Sequence, residues 1–268
     1  MKRPWSLRRF RDLSLLAGES EVLVIACDSL GGIGPHPRDA VRVDSETVGY
    51  GLARVVLLEL ASVRAEPLLV VDALSCAAEP HGSRIAAGVA RYLIEIGLDP
   101  ARALTGSTEE NVPVETTGAG IFALGWAPAE RLLTEGARAG DLVWLVGRPK
   151  VGSAVRFDDP ELPTYADLKT LAGLEGASEL IPLGSGGIGA ELKALERRPG
   201  MRFRPLAPAP VPLDRSGGPA TAALLRTGPE LAGAGPEGGM LLEQMGARGS
   251  SGVERLPLYL LGRIEMER

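Results

Sequence analysis

The sequence predicts an α+β chain of two domains, and three observations carry that prediction. Apolar spacing in the first half follows the order strand, strand, helix, strand, helix, strand. A connecting stretch from Ala127 to Gly140 is followed by a new, strongly apolar strand at Leu142–Val146. The length, 268 residues, suits two domains of ordinary size, placed at residues 1–138 and 139–268. Apolar residues make up 45% of the chain and aromatic residues only 4%, so aliphatic side chains fill the core.

Taken in order, Val22–Ala26 is a buried strand with Asp28 just beyond it, and the turn-rich loop Ser29–Pro37 carries Gly31, Gly32 and Gly34. Ala40–Val43 is a short second strand. Ser45 can cap the helix that follows, because a hydroxyl there accepts from a free N–H of the first turn. Val48, Leu52, Val55, Val56, Leu60 and Val63 give that helix one apolar stripe. Pro67–Val71 is a strand ending at Asp72. Ile85, Val89, Tyr92 and Ile96 mark a helix from about His81 to Ile96, and Gly97 suits its end. Thr105–Asn111 is read as a loop and Ile121–Leu124 as a strand. In the second half come Leu142–Val146, a loop with Arg148 and Lys150, and a helix over Tyr165–Gly173. A glycine loop at Gly184–Gly189 leads into a helix from Ala190 to about Glu196, and the last strands are Ala220–Leu225 and Leu256–Ile264. Gly228–Gly239, rich in glycine and proline, reads as a mobile loop.

Composition narrows the function classes. A net charge of −5 argues against a broad nucleic-acid surface. No apolar run approaches the roughly 20 residues of a membrane span, and the basic start lacks a signal peptide's apolar stretch, so the expected location is cytoplasmic. Two cysteines, Cys27 and Cys76, build neither a disulfide framework nor a zinc site and read as buried thiols. With only His36 and His81, a metal here needs oxygen ligands, which points to Mg²⁺ or a similar hard ion.

The candidate chemistry rests on acids and glycines. Asp28 and Asp72 follow strands, where loops gather into sites. Carboxylates repel a nucleotide phosphate directly but can hold a Mg²⁺ that bridges to it. Glu59 on a helix and the Glu109–Glu110 pair complete the acidic set; Asp28 and Asp72 could equally be solvated residues at strand ends, and an acid on a helix, such as Glu59, is usually just exposed. Gly31–Gly32 lacks the lysine and following helix of a Walker loop. Gly186–Gly187 precedes a helix, whose free N–H groups can hold an anion, and Lys150 could do the same with its charge. A nucleophile elbow, a Cys–His pair and protein-kinase motifs are all missing from the sequence.

In order along the chain, these pieces resemble the superfamily of aminoimidazole ribonucleotide (AIR) synthetase and thiamine-monophosphate kinase. Cys27-Asp28-Ser29-Leu30-Gly31-Gly32 is similar to its Thr-Asp-Gly-Val-Gly-Thr segment. Thr47-Val48-Gly49, Glu59-Leu60 and Ala65-Glu66-Pro67 stand where it has Thr-Ile-Gly, Asn-Asp-Leu and Gly-Ala-Glu-Pro. Gly106-Ser107-Thr108-Glu109-Glu110 resembles its Gly-Gly-Glu/Asp-Thr-Ala-Glu loop, with Ser107 in place of an acid, and Ser185-Gly186-Gly187 its second-domain glycine loop. Thr105–Pro113 and Gly147–Gly152 look most like α-ribazole kinases.

The resemblance implies an N-terminal domain that closes a shared β-barrel with its twin in a homodimer, and a C-terminal α/β layer. It also implies a magnesium-dependent transfer of the ATP γ-phosphate to a small molecule, with α-ribazole first among acceptors. Asp28 and Asp72 would be catalytic, and Asp28, Glu59, Asp72 and Glu110 would hold metal. Gly31, Gly32, Gly106, Ser107, Thr108, Lys150, Gly186 and Gly187 would hold the nucleotide. A ring-closing synthetase, a thiamine-monophosphate kinase-like enzyme and a non-catalytic nucleotide-binding protein are the alternatives.

Overall fold

The computed structural model describes residues 5–134, 136, 138–196, 200–232 and 256–267, so most of the predicted loop Gly228–Gly239 lies outside the described residues. The chain divides into two compact units. One comprises Met1–Ala61 and Ala65–Leu132, the other Ser62–Arg64 and Leu133–Arg268. Among the described residues no helix is long and apolar enough to cross a membrane.

The first unit is built on a six-stranded sheet. Its strands are β1 (Ser6–Phe10), β2 (Leu13–Ala17), β3 (Glu21–Gly31), β6 (Glu66–Leu74), β7 (Leu104–Thr108) and β8 (Gly118–Pro128), in the order β1-β2-β3-β8-β6-β7. The β1–β2 hairpin has no counterpart in the sequence reading, because four of the five β1 side chains are exposed and leave no apolar alternation to see. β3 is longer than expected. It pairs with β8 from Glu21↔Pro128 through Gly31↔Gly118, so Asp28 lies within the strand rather than after it. β6 likewise runs past Asp72 to Leu74. β7, expected as a loop, is the edge strand, parallel to β6; its Gly, Ser and Thr residues carry no strand pattern. β4 (Ile33–Gly34) and β5 (Val41–Arg42) form a separate parallel pair.

Two helices serve this unit, α1 (Ser45–Ser62) and α2 (Ser83–Glu95), with a one-turn α3 (Pro100–Ala103) before β7. The cap of α1 is Asp44, not Ser45: the Thr47 N–H and hydroxyl donate to its carboxylate at 2.9 and 2.6 Å. α1 lies on the inward face of the sheet, since a methyl group at Gly125 would sit 3.0 Å from Leu60. The two helices touch backbone to backbone. A Cβ at Gly49 would fall 1.8 Å from the Ile85 carbonyl, and one at Gly88 would fall 2.0 Å from that of Glu46. Val22, Val24 and Ala26 of β3 are buried on the inward face. Leu23, Ile25 and Cys27 on the other face stay half-buried or exposed, as do their register partners Trp126, Leu124 and Phe122. The reading of Cys27 as a buried thiol is thereby corrected: it lies on the outward side of the pleat and is exposed, whereas Cys76 is buried.

The second unit carries an antiparallel sheet of β9 (Leu142–Gly147), β10 (Ala177–Pro182), β11 (Met201–Pro205), β12 (Ala222–Thr227) and β13 (Leu258–Met266), in the order β10-β12-β9-β13-β11. All residues of β9, β10 and β12 are buried; β9 is an unbroken apolar run, whereas β10 carries Ser178 and Glu179 and β12 carries Arg226 and Thr227. α4 (Tyr165–Ala172) opens on a capping box between Thr164 and Asp167, and α5 (Gly187–Glu196) buries Ile188, Leu192 and Leu195 against Val143, Leu145 and Leu224. Three charges lie within this core. Arg226 reaches Asp141 at 3.2 Å and Glu179 at 3.1 Å, the latter close enough for an ion pair though off the hydrogen-bond axis, and its Nε donates to Ser178 at 2.9 Å.

Candidate functional site

The sheet register of the first unit builds the site. Ile121 of β8 stands opposite Asp28 on one side and Asp72 on the other, and Gly106 of β7 stands opposite Asp72. Side chains directly opposite one another share a face, so Asp28, Ile121, Asp72 and Gly106 form a row across four adjacent strands. Two strand spacings put the two aspartate Cα atoms roughly 10 Å apart. The face is the inward one: Val70, Asp72 and Leu74 of β6 are buried, as are Ala119, Ile121 and Ala123 of β8.

Asp72 is only 5% exposed, and its Oδ2 is buried with no hydrogen-bond partner. Burial pushes its carboxyl above the ordinary value. The glycine at 106 is what leaves room for this carboxylate, since a Cβ there would lie 1.6 Å from Asp72 Oδ1. Asp28 is half-buried. Burial raises its carboxyl too, a bond from the Ser29 backbone opposes the rise, and the nearby charge of Asp12 adds to it. A cleft of about 270 Å³ opens over Asp72, lined by Thr105, Gly106, Ser107 and Thr108 of β7 and by Gly82, Ser83 and Ala86 at the start of α2. A carboxylate left unpaired beside the first turn of a helix is an unusual place to fold a chain without a ligand, because unmatched buried polar groups cost stability.

The remaining predicted residues are not gathered with these two. Glu59 pairs with Arg11 at 3.6 Å. Glu110 accepts from the Ala78 N–H at 2.9 Å and the Thr108 hydroxyl at 2.6 Å, bonds that hold its carboxyl below the ordinary value. Among the described residues no three His, Cys, Asp or Glu side chains converge to hold a metal, so Asp28, Glu59, Asp72 and Glu110 are not assembled as a set. Ser107 stands opposite Ala73 and shares its face, away from Asp72. Gly31 ends β3. Gly32 has a φ of +71° and carries a turn whose carbonyl accepts from Ala40 and Val41. Lys150, in the second unit, is matched by Asp159 and by Glu161 at 2.8 Å, and these pairs raise its ammonium against burial's opposing push. Gly186 is exposed at the mouth of α5. Gly187, with a φ of +66°, packs so closely on the Arg215 carbonyl that a Cβ would sit 2.4 Å away.

The sequence reading missed three buried carboxylates, Asp39 in the first unit and Asp141 and Glu179 in the second. Asp39 is pushed up by burial but drawn further down by the Thr117 N–H and hydroxyl, both at 2.7 Å, and the His36 N–H at 2.8 Å. It fastens the 32–43 loop to the strand behind it. Its position before a short strand resembles any solvated loop acid, so no local pattern marks it.

No family model matches the sequence, and no curated protein matches it. Solved structures do match. A thiamine-monophosphate kinase from Stenotrophomonas maltophilia K279a aligns over 100% of this chain and 90% of its own, at 18% identity and a TM-score of 0.63. The thiamine-monophosphate kinase AaThiL, complexed with AMPPCP and TMP, aligns over 96% of this chain and 85% of its own, at 16% identity and a TM-score of 0.62. PurL of T. maritima, complexed with ADP, aligns over 100% of this chain but 42% of its own, at 12% identity and a TM-score of 0.63. At these identities the likeness is one of fold: the chain has the thiamine-monophosphate kinase and PurL fold over its whole length, the fold that its sequence motifs resemble.

Proposed function

We propose that the chain is an ATP-dependent phosphotransferase acting on the hydroxyl of a small molecule. The observation that carries this reading is the aspartate row, with the unpartnered Asp72 carboxylate facing a cleft that begins at the first turn of α2. The neighbours' complexes with AMPPCP and ADP support a nucleotide in such a cleft.

The residues present suit Mg²⁺. This ion keeps several waters and takes one or two carboxylates plus substrate phosphates, so Asp28 and Asp72 suffice without a protein cage. Bound there, it would neutralise charge on the transferring phosphoryl oxygens. The chain's own part is positional. Gly106 leaves the Asp72 carboxylate unobstructed, and the hydroxyl-bearing residues Ser83, Thr105 and Thr108 line the cleft beside it. Burial of Asp72 keeps water from its Oδ2.

For the acceptor, the Thr105–Pro113 and Gly147–Gly152 resemblance supports the 5′-hydroxyl of α-ribazole. The test mixes protein and Mg-ATP with α-ribazole, thiamine monophosphate or formylglycinamidine ribonucleotide, and follows ADP and phosphorylated product by mass spectrometry. Turnover of α-ribazole is expected. Turnover of only another acceptor replaces the branch and keeps the phosphotransferase. Nucleotide binding without any turnover favours the non-catalytic reading, which the outward face of Ser107 supports.

The same reading includes a homodimer through the outward face of the six-stranded sheet. That face carries Leu23, Ile25, Phe122, Leu124 and Trp126, an apolar surface of the kind that pairs with a copy of itself. Light scattering should give a mass near twice 28.0 kDa, and the exposed Cys27 should react slowly with a bulky thiol reagent. A monomer with a fast-reacting Cys27 removes the dimer.

A further inference from the structure

A second cavity, of about 300 Å³, lies in the same unit and holds both histidines of the chain. His36 comes from the 32–43 loop and His81 from the π-helical turn Ala78–Gly82 that precedes α2. Their rings meet edge to face with centroids 4.7 Å apart. His36 is 9% exposed, and its Nε2 is buried with no hydrogen-bond partner among the described residues. His81 is oriented by a 3.2 Å contact between its Nδ1 and the Ser45 hydroxyl. Burial is the first reason its imidazole stays neutral, aided by His36 and Arg84 and opposed by Asp39.

The lining gives this cavity a sign. Glu79, Glu109 and Glu110 line it, and among the described lining residues there is no lysine or arginine. Two cations lie nearby without lining it: an Arg42 Nη1 donates to the His36 carbonyl, and Arg84, 3.9 Å from Glu46, acts on His81. The thiol of Cys76, at the cavity wall, is pushed up first by burial and then by the charge of Glu110. Pro80, Val112, Pro113 and Val114 supply apolar surface. Such a space suits a planar ring with nitrogen donors or acceptors and opposes an anion.

The histidine cavity also shares a wall with the aspartate cleft. Thr108 lines the cleft, and its hydroxyl donates at 2.6 Å to Glu110, which lines the cavity. We propose that the His36–His81 cavity binds the ring of the acceptor, and that this ring is a nitrogen heterocycle bearing no negative charge. Its place on the acceptor side rests on the phosphotransferase reading; the binding itself does not.

Three ring compounds of matched size and different charge test it: nicotinamide (neutral), 1-methylnicotinamide (a cation, methylated on the ring nitrogen) and nicotinate (an anion). With two histidines in the chain, the imidazole NMR signals of the full-length protein assign from His36→Phe and His81→Gln. Nicotinamide and its N-methyl cation should shift both imidazoles, each with a dissociation constant at least tenfold below that of nicotinate. His36→Phe, which keeps an aromatic ring and removes the nitrogens, should weaken nicotinamide at least tenfold. Glu79→Gln, an exposed substitution, should narrow the discrimination against nicotinate at least threefold. Nicotinate binding as tightly as nicotinamide, or no imidazole shift with any of the three, overturns the proposal. Binding of AMPPCP by the same sample separates the two readings. If AMPPCP binds and no ring compound does, only the cavity assignment falls. If ring compounds bind as described and AMPPCP does not, the cavity stands and the phosphotransferase reading falls.

Discussion

The Arg226 cluster of the second unit and the aspartate row of the first treat buried charge in opposite ways. In the second, Arg226 is enclosed with Asp141 and Glu179. In the first, Asp72 is as buried as those groups yet keeps an oxygen with no partner, and Asp28 sits in the same row with its carboxyl raised. Folding alone explains a matched charge. An unmatched one is tolerated when something outside the chain completes it, which is why Asp28 and Asp72 point to chemistry, and Asp141 and Glu179, like the matched Asp39 of the first unit, to architecture.

The largest expected effect breaks the matched side. Arg226→Leu leaves two carboxylates buried without their cation and should destabilise the second unit by about 3–5 kcal/mol in urea denaturation. Replacing all three groups together, with Met at 226, Asn at 141 and Gln at 179, should recover most of that loss. A loss below about 1 kcal/mol for Arg226→Leu would show that water already screens the cluster.

The unmatched side should respond the other way. Asp72→Asn should lower Mg-ATP affinity or turnover at least tenfold, as expected for a lost metal ligand, while thermal stability at pH 7 stays the same or rises by a few degrees. The sign follows from the direction of the shift. A carboxyl whose folded value is raised favours folding while protonated; that stability is complete below the ordinary value of 3.8 and is lost as pH rises through the folded value. Removing the charge removes the loss, so the variant's stability should fall less than the wild type's between pH 3 and pH 7. A variant that is both inactive and markedly less stable at pH 7 would make Asp72 a structural residue.

The smallest effect concerns Lys150. Because two carboxylates already hold it, Lys150→Met should change nucleotide affinity less than about threefold and stability by about 1 kcal/mol or less. A tenfold loss of nucleotide affinity, measured by calorimetry, would return Lys150 to the site.

Much of the first unit was legible in the sequence where apolar residues run together in a strand or recur at helical spacing. Val22, Val24 and Ala26 marked β3, and the 3.6-residue stripe marked α1. The strand ends were not legible, because Ser29, Gly31, Gly118 and Gly120 pair through backbone groups that leave no side-chain pattern. That same extension turned Asp28 and Asp72 from residues after strands into residues within them. Their common face follows only from the register with Ile121, a long-range pairing that no local window contains. Glu59 and Glu110 matched a motif by position, but their partners, Arg11 and the Ala78 N–H, come from segments distant in sequence. The two histidines gave no sequence pattern at all, being 45 positions apart and joined only by the folding of two loops.

The contact of α1 and α2 through Gly49 and Gly88 has a bearing on the cleft, because the first turn of α2 forms one of its walls. With no side chain between them, the two helix backbones meet at a hard stop rather than through deformable packing. The separation of the two helices at this contact is therefore set by their peptide chains, a dimension that repacking of side chains cannot alter. A methyl group at either glycine acts as a shim: it forces the two backbones apart and disturbs the wall that α2 gives the cleft, without touching any residue of the site itself.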